Sequence, residues 1–423
     1  MYSKKLVLFI MSLVVASALL FSACAPAAPT QEEVAPVEEE PAPVEEAPAE
    51  EGAAPAEGEP LIIGAVFNQT GWMAAYDGPP RDAAFLAVKV LNDQGGIMGR
   101  PIELIEIDGK TDPAVVGTAT LQLIEQDAEI IIAPCDFDIG APASQAAQEA
   151  GMVGTSLCAS SPLYGSEVLG DKQFTASVWN NNMAAAAAEW AVKEKGWKTA
   201  AVVTDSAYEY TQSLGDLFKE HWETLGGEIV SDDAYTAGDE DFSAQIGRLQ
   251  ALPEAPDVIY ISGVNPELAT ILRQVRAAGI ETPLMGGDTY DDVELWAALG
   301  PDLANDLYFA THSWLGPEAG GNMEEFLALY EEEYGEPPAA GFTVMGWDVV
   351  MVYAQAIEAA GTTDGAAVAK KMEEMQFELL SGNMDWSSAE DGHFPNKEVA
   401  MVELQAAEPS FIGWIAVENP PGR

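Results

Sequence analysis

The stretch GGDTYDDVELW, Gly286 to Trp296, packs Asp288, Asp291, Asp292 and Glu294 into a short span after the apolar run PLM. Carboxylates at that density can chelate a cation, act as a general acid, pair with a cationic ligand or face water. The spacing departs from the D-x-D-x-D-G pattern of a calcium loop, so a metal site is not expected. Asp291 and Asp292 precede VELW, where acids complement a helix N-terminus, and they read as a solvated helix start. Asp288 follows PLMGG directly, and that reading leaves it unexplained.

Other residues invite chemistry and then lose the case. GTSLC (154–158) comes near the G-x-S-x-G nucleophile elbow but ends in cysteine. A triad would also need a histidine. His221 lies in an amphipathic helical pattern, His312 at a strand end and His393 in a hairpin turn, and each reads as structural. GGIMG (95–99) follows a helical pattern and precedes a strand, the reverse of a dinucleotide loop, so it reads as a cap and tight turn. There is no CxxC or His/Cys cluster, and no metal or other cofactor is expected. Beyond Cys24 only Cys135 and Cys158 remain, each after a strand. They either pair in a disulfide, as export would favour, or stand as separate buried thiols.

These residues must be positioned by the elements around them. Strand candidates are LIIGAVF (61–67), IELIEI (102–107), EIIIAP (129–134), MVGTS (152–156), TAAVVT (199–204), EIVSDDAY (228–235), DVIYIS (257–262), PLMGG (283–287) and LYFATH (307–312). Helical patterns such as RDAAFLAVKVLNDQ and PELATILRQVRAAG separate them. Continuous apolar strands alternating with helices imply doubly wound parallel α/β sheets. The series restarts at KTAAVVTD, after WNNNMAAAAAEWAVKEKG, so two α/β lobes are expected with a crossing near Trp179–Asn180. GFTVMGWDVVMVYAQAIEAAG carries Asp348 and Gln355 and reads as a buried helix rather than a membrane span.

Open α/β sheets bind ligands beyond the carboxyl ends of their strands. That rule collects NQTGWMAAY, CDFD and LCASS from the first lobe and DSAYEY, GVNPE and GGD from the second. Two such lobes facing each other form a cleft with hydroxyls on one side, a carboxylate on the other and aromatics between.

Over residues 61–417 the chain resembles the Leu/Ile/Val-binding branch of the type I periplasmic solute-binding proteins, which feed ABC importers. The resemblance is carried by TGWMAAYDGPPRDAAFLAVKVLNDQGGIMGRPIELIEID, by GDEDFSAQIGRLQALPEAPDVIYISGVNPELATILRQVRAAGIETPLMGGD and by MDWSSAEDGHF. It implies two lobes joined by three hinge crossings, with residues 61–179 and 311–397 in lobe one and residues 180–310 and 398–417 in lobe two. It also implies capture of an amino acid or related small polar solute by lobe closure, without catalysis, and delivery to an ABC permease by a monomer. A ligand sensor of the same fold, acting on a signalling partner, is the alternative. Carried over by position, Ser160 and the backbone at Cys158 would receive a ligand carboxylate. Tyr208 would close over the ligand, Asp288 would pair with its ammonium, and Trp72 and Tyr76 would wall the pocket. The family's aromatic in the GVNPE loop falls on Val264, and its serine after the third strand falls near Asp136 or Phe137.

Lys4 and Lys5 precede a 15-residue apolar run and then FSAC, ending at Cys24. This reads as an export signal over residues 1–23 with a lipobox, so Cys24 is the expected lipidation site. Residues 25–60 contain 11 glutamates and no Lys, Arg or aromatic residue. With Cys24 they read as a disordered Pro/Ala/Glu tether, residues 24–60, able to reach on the order of 110 Å at ~3.1 Å per residue. An exported domain, anchored by lipid to the outer face of the cell membrane or lying in the periplasm, is the expectation. Setting aside those glutamates and the two lysines leaves 58 acids and 16 bases, a formal charge of −42. That balance argues against nucleic-acid binding, which needs Lys and Arg to neutralise phosphates. It argues equally against the domain lying on anionic lipid.

Overall fold

The structure, a computed structural model, describes residues 58–319 and 321–422. The export signal, Cys24 and the tether up to Glu57 lie outside the described residues.

The first sheet holds β1 (Leu61–Phe67), β2 (Ile102–Asp108), β3 (Ile130–Ala133), β4 (Gly154–Ser156) and β5 (Gln173–Thr175), all parallel, in the order β2-β1-β3-β4-β5. Its connections are α1 (Ala74–Asp93), α2 (Pro113–Glu125), α3 (Phe137–Glu149) and α4 (Ser166–Leu169). Asp112 caps α2 by accepting from the Ala114 and Val115 amides, and Pro113 takes the first helical position, where its missing N–H is harmless. The strand signal that follows β3, MVGTS, yields a strand of only three residues, and β5 was not anticipated. Elements this short show no period to read.

The chain then enters α5 (Asn180–Trp190) and a second sheet of β6 (Thr199–Asp205), β7 (Glu228–Tyr235), β8 (Val258–Ser262), β9 (Leu284–Gly286) and β10 (Leu307–Thr311). Between these strands run α6 (Glu209–Thr224), α7 (Ser243–Gln250), α8 (Glu267–Ala277) and α9 (Val293–Leu303). Both faces of this sheet are apolar. Ala200, Val202, Val258 and Tyr260 pack on one side, and Ala201, Val203, Ile259 and Ile261 on the other. The strict alternation within each strand puts successive side chains in opposite layers.

The chain returns to the first lobe through α10 (Met323–Tyr334), α11 (Val344–Ala360), α12 (Gly365–Glu374) and a small antiparallel sheet, β11 (Phe377–Leu379), β12 (Gly382–Trp386) and β13 (Pro395–Asn396). Helix α11 is buried against α1. Its Gly346 permits the approach, since a Cβ there would lie 1.7 Å from the Pro80 carbonyl oxygen. Among the described residues no helix is long and apolar enough to cross a membrane. Finally β14 (Val399–Gln405) pairs antiparallel with β10, and β15 (Glu408–Ile415) antiparallel with β14, giving the order β15-β14-β10-β9-β8-β6-β7. The chain therefore passes between sheets three times: between Thr175 and Asn180, after Thr311, and between Asn396 and Val399.

Candidate functional site

In each sheet the strand order reverses beside the first strand, between β1 and β3 and between β6 and β8. The crevices at these reversals face each other, and the loops beyond the strand ends meet there.

The first lobe supplies a cross-tied floor. Asp77, fully buried, accepts from the Asn68 amide at 2.7 Å and from the Cys135 amide at 2.9 Å, joining the ends of β1 and β3. Burial outweighs these bonds and pushes its carboxyl up to about 7. Cys135 and Cys158 form a disulfide with Cα atoms 4.7 Å apart, joining the ends of β3 and β4. Ser156 Oγ donates to the Pro134 carbonyl at 2.7 Å and accepts from the Ala159 amide. Its hydroxyl is thus spent on loop geometry, with no histidine beside it, and the nucleophile-elbow likeness carries no chemistry.

The second lobe presents Asp288 from a 3₁₀ turn after β9. Its Oδ1 accepts from the Tyr210 hydroxyl at 2.6 Å, and its Oδ2 lies 3.0 Å from His312 Nε2. The carboxylate makes Nε2 the proton-bearing nitrogen. Burial and the adjacent Asp288 charge hold the Tyr210 hydroxyl well above the usual phenol range. A Cβ at Gly287 would lie 2.7 Å from the Tyr210 hydroxyl oxygen, so glycine lets that ring reach Asp288. Thr289 Oγ1 donates to the Gly263 carbonyl at 2.8 Å.

Between these walls lies a pocket, partly open to solvent, of about 390 Å³ of non-atom space with that open part included. Trp72, Tyr76, Asp136, Phe137, Cys158, Ser160, Val264 and Asp288 all line it, as do Tyr210, Ser161, Thr289, Met73 and Cys135. Among the described residues lining it, none is a cation. Asp136 lines the pocket and is half-buried. Burial pushes its carboxyl up to about 7, with Asp138 adding in the same direction. The lobes touch around the void. Glu209 N donates to Asp138 Oδ2 at 2.8 Å, Asn265 N approaches the Tyr76 hydroxyl at 3.5 Å, and the Trp72 and Tyr208 rings sit 4.9 Å apart.

Three expectations change. Tyr208 does not line the void. It takes the N-cap position of α6 and packs on Trp72, while Tyr210, in the first turn, reaches inward. DSAYEY carried both tyrosines, and only the helix start decides which one points in. Asp291 and Asp292 are buried rather than solvated. Asp292 does cap α9, accepting from the Glu294 amide, and also accepts from Asn265 Nδ2. Asp291 Oδ2 accepts from Thr311 Oγ1 and from the Gly341 amide, both at 3.0 Å, which fastens this loop to the returning chain. His312, read as structural only, orients the site carboxylate; no sequence signal links it to Asp288. His393, by contrast, stacks on Phe174 and bonds Gln173 and Glu373, away from the site. His221 lies 3.3 Å from Glu189, on α6. Among the described residues no group of three His, Cys, Asp or Glu is arranged to hold a metal ion.

A sequence model of a family described as periplasmic binding protein matches residues 60–409. A Leu/Ile/Val-binding protein of Rhizobium johnstonii is 28% identical over 308 residues, covering 72% of this chain and 81% of its own. Among solved structures, a leucine-binding protein from Thermotoga maritima superposes with a TM-score of 0.76 at 25% identity, over 84% of this chain and 99% of that one. A branched-chain amino acid transporter substrate-binding protein from Streptococcus pneumoniae, in complex with isoleucine, gives 0.76 at 24% identity over the same shares and is alike in fold.

Proposed function

This chain belongs to the periplasmic binding protein family, and from that premise we propose that it captures a small amino-acid-like solute between its lobes and delivers it to an ABC permease. The observation that carries the reading is the pocket between the lobes, with Asp288 presented from one lobe and the Ser160 and Ser161 hydroxyls from the other. A desolvated ammonium needs a paired carboxylate, and Asp288 is held ready for one by Tyr210 and His312. Aromatic rings of Trp72 and Tyr76 and the apolar Val264 suit an aliphatic side chain. The sequence similarity to Leu/Ile/Val-binding proteins supports the same class of solute. Function in this reading is closure: the solute binds the closed arrangement better and shifts the population toward it. The family is one of binding proteins rather than enzymes, and no catalytic step is assigned. A periplasmic binding protein works outside the cytoplasm, and the lipobox at Cys24 supports anchoring by lipid.

The test is thermal-shift screening against branched-chain amino acids, their amides and their amino alcohols, followed by calorimetry of the best compound. A solute at 100 times its Kd should add ~2.7 kcal/mol of stability. Asp288→Ala should then lose on the order of 3–5 kcal/mol of binding free energy with the fold intact. Unchanged affinity in that variant removes Asp288 from the site.

A further inference from the structure

We infer that Asp136 determines specificity in this void, selecting a solute whose end facing the first lobe is an uncharged or cationic hydrogen-bond donor rather than a free carboxylate. This rests on the proposed binding function and narrows its solute class to amides, amino alcohols and diamines.

The argument starts from α3, 13 residues long, whose N-terminus opens toward the void. A helix N-terminus carries unpaired amides and partial positive charge, and it is where an incoming carboxylate would be held. Here the chain fills that place with its own carboxylate. Asp136 is the N-cap, with φ of 75°, and its Oδ1 accepts from the Ile139 amide at 3.1 Å. The same turn carries Asp138, whose carboxylate is taken by the Glu209 amide of the facing lobe. Glu209 itself adds a third acid nearby and, with Asp138, raises the cost of ionising Asp136.

Across the void stands Asp288, and among the described lining residues no Lys or Arg offsets either acid. Above pH ~7, with Asp136 ionised, a solute carboxylate entering here would meet like charge from both lobes, which disfavours its binding. The neutral groups that remain are hydroxyls. Ser161 Oγ already accepts from the Leu163 amide. Ser160, buried at the void, is free to accept from or donate to a neutral group. A solute with an ammonium at Asp288 and an N–H or O–H at Asp136 satisfies both carboxylates.

The experiment is calorimetry at pH ~8, where a carboxyl with a pKa near 7 is ionised, on full-length protein with leucine and leucinol. The two probes share side chain and ammonium and differ in carboxylate against hydroxyl. Wild type should favour leucinol by at least about tenfold, and Asp136→Asn should abolish or reverse the preference. Asparagine caps helices and tolerates positive φ, so the fold should survive. Asp136→Ser, another capping residue, gives an independent second variant. Leucine bound as tightly as leucinol by wild type overturns the inference, and so does a ratio that both variants leave unchanged. Binding of neither probe to wild type or either variant overturns the amino-acid-like reading itself, and the inference with it.

Discussion

Asp77 and Asp291 are interior carboxylates with hydrogen bonds but no cation beside them. Burial disfavours the charged form in each, and both carboxyls are pushed up to about 7 from 3.8. The sign of the consequence follows from proton counts. Between the unfolded value near 4 and the folded value near 7, the folded chain holds protons that the unfolded chain has released. Stability is therefore greatest on the acid side, falls as pH rises through that window and levels off above it. The melting temperature should be higher at pH ~5 than at pH ~7.5. Asp291→Asn should flatten the slope, because both donors to this side chain bond Oδ2, and an amide oxygen can accept both. Differential scanning calorimetry against pH checks this, and a melting temperature that rises from pH ~5 to ~7.5 contradicts it. The sequence marked Asp291 as part of a solvated helix start. Its burial depends on Thr311 and Gly341, which come from distant parts of the chain.

At the level of elements, the register of β3 and β4 accounts for the disulfide. Ala133 pairs with Ser156, so Cys135 and Cys158, each two residues on, arrive level on the same sheet edge. Closing the loop between them should stabilise the chain by about 3 kcal/mol in the chain-entropy view. The double variant Cys135→Ser/Cys158→Ser should lose about that much unfolding free energy and melt earlier, and reductant should shift wild type but not the variant. Thiol titration of denatured, unreduced Cys24→Ala protein should find no free thiol; finding two would remove the bridge. The strand-end positions of these cysteines were legible from the apolar runs before them. Their pairing was not, because it needed the neighbour relation of β3 and β4. The α6 start shows the same limit: Tyr208 and Tyr210 are two residues apart, and where the helix begins decides which of them lines the pocket.

Across the whole molecule, three passages between sheets divide the chain so that its last two strands complete the second sheet. The acidic balance, −51 for the full sequence, repels polyanions such as nucleic acid and anionic lipid. Cys24 and the tether lie outside the described residues, yet their composition motivates a prediction at this scale. Cys24→Ala should move the protein from the membrane pellet to the soluble fraction without changing solute affinity. By sequence 36 residues lie between Cys24 and Leu61, so the two properties should be independent. Fractionation that leaves the variant in the pellet argues against the anchor.

The sequence by itself determined the α/β class, the two-lobe restart and the strand-end loops that meet at the void, since these follow from local periodicity and from where strands stop. It also carried the family resemblance through long motifs. Tertiary structure alone decided that His312 orients Asp288, that Asp136 caps α3 at the void, that Asp291 is buried, and that Tyr210 rather than Tyr208 lines the wall. Each of these is a contact or an orientation set by how separate elements pack. Periodicity along one segment reports which face is apolar, and not which residue from a distant segment will lie against it.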